Sequence, residues 1–119
     1  MNKIIFRLIF TCVFVSQPFL VSSQSKTTKK ILKTSFKVLG NCEMCEKKIE
    51  EAVLNLNGVK KAEWDKDMLL LKVKYNLKQV QLFEIKQAVA NVGYDTDTIK
   101  ATDENYNALH YCCKYDRKQ

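Results

Sequence analysis

From residue 32 to residue 38, apolar and polar side chains alternate. Leu32, Thr34, Phe36 and Val38 share one face, and Lys33, Ser35 and Lys37 share the other, which is the period-two pattern of a half-buried strand. Beyond Asn41 the period changes. Cys45, Ile49, Ala52, Val53 and Leu56 recur at helical spacing while Glu46, Lys47, Glu50 and Glu51 point elsewhere, so an amphipathic helix is expected. Asn57-Gly58 stops it with a residue suited to positive φ. Residues 59–64 and 69–75 predict two further strands joined at Asp65-Lys66-Asp67; in the second, Leu69, Leu71, Val73 and Tyr75 oppose Lys72 and Lys74. A second helix carries the stripe Leu82, Ile85, Val89 and Val92, with Phe83 and Ala88 beside it, and ends at Gly93. A short strand over 97–101 completes the order β-α-β-β-α-β. An α+β, ferredoxin-like sandwich satisfies that order: one antiparallel four-stranded sheet with two helices on one face.

The domain so predicted covers residues 31–102. Ahead of it, residues 24–30 form a polar, basic leader without periodicity, expected to be disordered. Residues 1–23 have the layout of a signal peptide: Lys3 and Arg7, then an apolar run from residue 4 to residue 15, Pro18, and small residues ending at Ser23. The run is shorter than the ~20 residues a bilayer span needs, so cleavage is expected, with no stable membrane insertion afterwards. That reading makes the protein exported, to a periplasmic or other extracytoplasmic space. The net charge of +7 stays moderately basic when Lys3 and Arg7 are set aside. Its lysines are scattered, with no Arg-rich stripe, so nucleic acid is not an expected partner.

Charge decides little here; the cysteines decide more. Cys12 falls in the apolar leader run, which leaves Cys42, Cys45, Cys112 and Cys113. A Cys-x-x-Cys and an adjacent Cys-Cys each close almost no chain, so they are poor staples for a core. Cys42 and Cys45 stand in a strand-to-helix turn and at a helix start, where unpaired N–H groups and the positive end of the helix dipole favour thiolate over thiol. Such a pair either holds a soft metal ion or performs thiol–disulfide chemistry. Two thiolates suit Cu(I), Ag(I) or Hg(II), whereas Zn(II) prefers four ligands.

Three segments carry a resemblance: Gly40-Asn41-Cys42-Glu43-Met44-Cys45 at the turn, Leu56-Asn57-Gly58-Val59 entering the second strand, and Ala90-Asn91-Val92-Gly93-Tyr94-Asp95 after the second helix. With these the chain, from about residue 32 to residue 101, resembles a heavy-metal-associated domain. That module occurs in small copper chaperones, mercury-binding periplasmic proteins and the metal-binding repeats of heavy-metal pumps. The resemblance implies a non-enzymatic carrier of a soft ion, Cu(I) before Hg(II), Ag(I) or Zn(II), bound by Cys42 and Cys45. It implies a monomer whose partner is a metal transporter or another metal-binding protein of the cell envelope. It also puts Tyr94 in the loop beside the metal turn, as a partner-facing or supporting residue or an ordinary rim aromatic. One position departs from the family: a core-anchoring Met usually stands two residues before the first cysteine, and Gly40 stands there instead. A more mobile loop is the expected consequence. Met44, beside Cys45, is expected to pack or to be exposed, with a thioether ligand as the alternative.

The tail, 103–119, has no clear period and carries His110, Cys112 and Cys113. Folded back, these could cap the Cys42/Cys45 site; an independent site, a disulfide to the first pair, or surface cysteines without a role are the other readings. Two alternatives to a metal carrier stand beside it. A thiol–disulfide oxidoreductase would use the same pair, but the only proline is Pro18, so none faces the cysteines as thioredoxin-type chemistry requires. An interaction domain with structural disulfides is the other. A single histidine, no phosphate-cradling loop and a small body leave other catalysis without support.

Overall fold

The computed structural model describes residues 30–118. The expected signal peptide over 1–23 and almost all of the leader over 24–30 lie outside the described residues. Among those described, no helix is long and apolar enough to cross a membrane.

The alternating segments form strands β1 (Ile31–Lys37), β2 (Val59–Asp65) and β3 (Leu70–Asn76), and the helical stripes form α1 (Glu43–Leu54) and α2 (Leu82–Asn91). β3 lies in the middle of an antiparallel sheet of order β1-β3-β2. The β2–β3 turn is tied by Asp65, whose Oδ1 accepts from the N–H groups of Asp67 and Met68 at 2.9 Å. Phe36, Ala62, Trp64, Leu71, Val73 and Tyr75 face one way and form a single core with Ile49 and Val53 of α1 and Ile85 and Val89 of α2. The opposite face of the sheet carries Lys33, Ser35, Lys61, Glu63, Lys72 and Lys74. Helix α2 begins with a capping box, the Gln81 N–H donating to Glu84 Oε2 at 2.7 Å.

The sheet has three strands among the described residues, not the four expected. In place of a strand over 97–101 there is one bridge, Val38 to Thr96, with the Leu39 N–H donating to the Asp95 carbonyl and the Asp97 N–H to the Lys37 carbonyl. The chain then leaves β1 because its polar groups are satisfied locally. Thr96 Oγ1 accepts from the Ile99 N–H and donates to the Ile99 carbonyl, and the Ala101 N–H donates to Asp95 Oδ1.

The tail is also more ordered than its sequence suggests. Thr102 caps a short helix α3 (Asp103–Asn107) by accepting from the Asn105 N–H, and a 3-10 turn follows over Tyr111–Cys113. Leu109, Cys113 and Tyr115 are buried in the same core. Gly93 permits this approach: a Cβ there would meet the Asn105 carbonyl at 2.8 Å and Leu109 at 2.9 Å, and its φ of +102° is itself a glycine conformation.

Candidate metal centre

Cys42 is the N-cap of α1, in extended backbone, and Cys45 follows in the first helical turn. Their sulfurs converge to 3.2 Å. Cys42 is half-buried and Cys45 fully buried. Burial opposes the Cys42 thiolate, but the Cys45 thiol and N–H, the Cys113 thiol and the Met44 N–H outweigh it, so the Cys42 thiol ionises below its ordinary value. Burial dominates at Cys45 and pushes that thiol up to about 11. The pair is therefore unequal: one accessible, readily ionised sulfur in front of one held protonated in the core.

The tail joins this pair. Cys113 Sγ lies 3.8 Å from Cys42 Sγ, and Cys112 Sγ lies 3.9 Å from Cys113 Sγ. Cys42, Cys112 and Cys113 form one group whose sulfurs all lie within 4.8 Å of one another. Cys113 is buried, and burial raises its pKa. Further out, His110 Nδ1 is 3.1 Å from Cys112 Sγ, and the Cys112 thiol points at the Met44 thioether, 3.9 Å away. Met44 itself is 45% exposed, so it stands on the rim.

Asn41 connects turn and tail: its Oδ1 accepts from the Cys45 thiol at 3.2 Å and its Nδ2 donates to the Lys114 carbonyl at 3.3 Å. Tyr115 is wedged beneath, its hydroxyl accepting from the Asp95 N–H and donating to the Gly93 carbonyl, both at 2.8 Å. Arg117 then forks onto Asp95 through two 2.9 Å bonds, and also reaches Asp103 and the Ala101 carbonyl. Sequence reasoning assigned no role to Asn41, Tyr115 or Arg117. The spacing of Leu109, Cys113 and Tyr115 is too irregular to signal burial.

Two expectations about the turn need revision. Tyr94 is neither partner-facing nor on the rim, being fully buried and stacked on Tyr115. Its hydroxyl has no hydrogen-bond partner among the described residues; burial, with Cys45 and Cys113 nearby, pushes its ionisation above the ordinary tyrosine range. The Gly40 turn is anchored after all, by the only tryptophan. Trp64 Nε1 donates to the Val38 carbonyl at 3.1 Å, and a Cβ on Gly40 would meet the indole at 2.8 Å. The ring occupies the space that an anchoring side chain at position 40 would need, so the glycine and the tryptophan go together.

Comparison with known proteins gives a consistent set of relatives. Residues 41–95 match the model of the heavy-metal-associated domain. A copper chaperone CopZ of Staphylococcus epidermidis is 37% identical over 68 residues, 57% of this chain and 96% of that protein. The solved apo-form of the copper chaperone of Enterococcus hirae superposes with a TM-score of 0.51 at 38% identity, over 55% of this chain and 97% of that one. The N-terminal domain of a potential copper-translocating P-type ATPase from Bacillus subtilis, solved in its Cu(I)-loaded state, gives 0.53 at 28%, over 60% and 90%.

These relatives overturn the expectation of an exported, periplasmic or extracytoplasmic protein. They are copper chaperones CopZ of Staphylococcus epidermidis and Enterococcus hirae, and 68 and 69 residues of this chain span 96% and 100% of them. The expectation rested on residues 1–23 alone, a basic, apolar and small-residue pattern that lies outside the family match over 41–95.

Proposed function

Because the chain belongs to the heavy-metal-associated domain family, we propose that it binds one soft cation, Cu(I) in the first place, through Cys42 and Cys45 and passes it on by ligand exchange. The supporting observation is the 3.2 Å convergence of the two sulfurs at the start of α1. Cu(I) is soft and accepts few ligands, and a thiolate pair at a surface turn meets that preference. Ag(I) and Hg(II) share the preference, so the same pair would take them.

Transfer is a substitution at the ion. The bond to an incoming partner thiolate forms as the bond to one cysteine breaks, and that cysteine takes up the proton the partner thiol gave up. Cys42 suits the first contact, being half-exposed and ionising below the ordinary thiol value. Like the copper chaperones it matches, the protein is a carrier and not an enzyme. The acceptor we propose is the metal-binding domain of a copper transporter, since a P-type ATPase domain is among the solved neighbours. Oxidoreductase chemistry is not favoured: no proline occurs among the described residues to face the pair.

Competition against a coloured Cu(I) chelator tests the assignment. The reduced protein should withdraw one tightly held equivalent, and Cys42→Ser/Cys45→Ser should lose at least about a hundredfold in affinity, since losing even an outer-shell partner of a metal site costs about 10–100-fold. A double variant that withdraws copper as well as the wild type removes the assignment.

A further inference from the structure

Two thiolates from one turn make an open clasp. Here a second pair lies against it from a segment seventy residues away, and that segment is fixed on both sides. Leu109 is buried over Gly93 before the cysteines. Tyr115 is buried after them, and Arg117 is forked onto Asp95. The 3-10 turn closes through the Cys113 N–H and the His110 carbonyl at 2.8 Å, which aims both sulfurs back at α1. Cys112 and Cys113 therefore arrive preorganised.

The spacing has a chemical meaning. With metal–sulfur bonds of ~2.3 Å, three sulfurs around one ion stand about 4.0 Å apart and four stand about 3.8 Å apart, whereas a linear pair stands about 4.6 Å apart. Cys42 to Cys113 is 3.8 Å and Cys113 to Cys112 is 3.9 Å. The three sulfurs lie within 4.8 Å of one another, with Cys45 3.2 Å behind Cys42. The Cys42–Cys113 and Cys112–Cys113 separations are those of a multi-sulfur site, whereas the 3.2 Å between Cys42 and Cys45 is shorter than two ligands of one ion stand.

We propose that Cys112 and Cys113 ligate the same ion as Cys42 and Cys45, so that the cargo sits in a closed site of at least three thiolates and leaves only when the 109–117 strap yields. The proposal rests on the metal-carrier reading and adds its regulation: retention is built in, and hand-over requires displacement of the strap. Of the tail pair, Cys112 is the half-exposed member, with Met44 Sδ and His110 Nδ1 on its outer side. An incoming thiolate that enters beside half-exposed Cys42 displaces Cys112, the new metal–sulfur bond forming as the Cys112 bond breaks and Cys112 taking the proton released by the partner.

The test uses the full chain, reduced and loaded with Cu(I) alone. X-ray absorption at the copper edge should give at least three sulfur neighbours for wild type and two for Cys112→Ser/Cys113→Ser, with release to a chelator at least tenfold faster in that variant. A wild-type measurement needs no variant to fold: loading with Cu(I) should protect Cys112 and Cys113 from alkylation along with Cys42. The proposal is overturned if wild type has two sulfur neighbours, or if Cys112 and Cys113 alkylate equally fast with and without copper. Loss of copper in Cys42→Ser/Cys45→Ser alongside either result would overturn the strap alone and leave the carrier reading standing. Undiminished binding in that variant would instead remove the carrier reading.

Discussion

The four thiols of the described chain are chemically alike and electrostatically unlike, and the difference is testable in the metal-free protein. Only the thiolate attacks an alkylating reagent. Cys42 sits half-exposed with its pKa lowered, whereas burial raises the pKa of Cys45 and Cys113 and removes them from solvent. Iodoacetamide at about pH 8 should therefore modify Cys42 at least tenfold faster than Cys45 or Cys113, read by peptide mass spectrometry. Because Cys45 ionises only near 11, its rate should keep climbing as pH rises toward that value, long after Cys42 has levelled off. Prior modification of Cys45 would contradict the whole electrostatic account. Gly40 offers a second residue-level test. A Cβ there enters the Trp64 ring, which is rigid and hydrogen-bonded through Nε1. Gly40→Ala should cost about 1–3 kcal/mol in urea unfolding, as overpacking does. The penalty should shrink in a Trp64→Leu background; equal costs in both would mean that the indole is not what excludes the side chain.

At the scale of elements, the question is what holds the tail. Asp95 is 3% exposed and its carboxylate accepts two bonds from Arg117 and one from the Ala101 N–H. Removing the guanidinium leaves a buried carboxylate short of partners, so Arg117→Ala should destabilise the fold by about 2–3 kcal/mol, discounted for the partial exposure of the arginine. Arg117→Lys should recover only part, since an ammonium cannot fork. Limited proteolysis should show cuts after residue 109 in the alanine variant before any in the sheet; a tail as resistant as wild type would mean the clamp is dispensable. The same residues explain which parts of the fold were legible. Strands β1 to β3 and helices α1 and α2 follow from local alternation and helical stripes, and their observed bounds lie within a few residues of those expected. The missing fourth strand turns on Thr96 and Asp95 binding nearby backbone instead of extending along β1, a competition invisible in hydrophobic period. The convergence of Cys42 and Cys45 was legible because their spacing is local. The approach of Cys112 and Cys113 was legible only as one of four readings of the tail, because it depends on Leu109, Tyr115 and Arg117 meeting Gly93 and Asp95 across the molecule. The Thr102 cap ahead of Asp103-Glu104 was the one local hint that the tail begins with a helix.

For the whole molecule, the thiol cluster lies where the first helix, the loop after the second helix and the tail come together, so an ion bound there acts on global stability. A ligand that binds only the folded state stabilises it by about 2.7 kcal/mol at a hundred times its dissociation constant. For a domain of this size each kcal/mol moves the melting temperature by roughly 4–8 °C. Reduced protein with one equivalent of Cu(I) should therefore melt at least ten degrees higher than without it. Cys42→Ser/Cys45→Ser should show no rise. Cys112→Ser/Cys113→Ser should rise less than wild type, because its ion is held from one segment and no longer ties residues 42 and 113 together. A cross-link between distant residues gains most from restricting the unfolded chain, and this one would enclose most of the domain. Equal shifts in wild type and the tail variant would mean that the ion is held by the first turn alone and that the tail merely packs beside it.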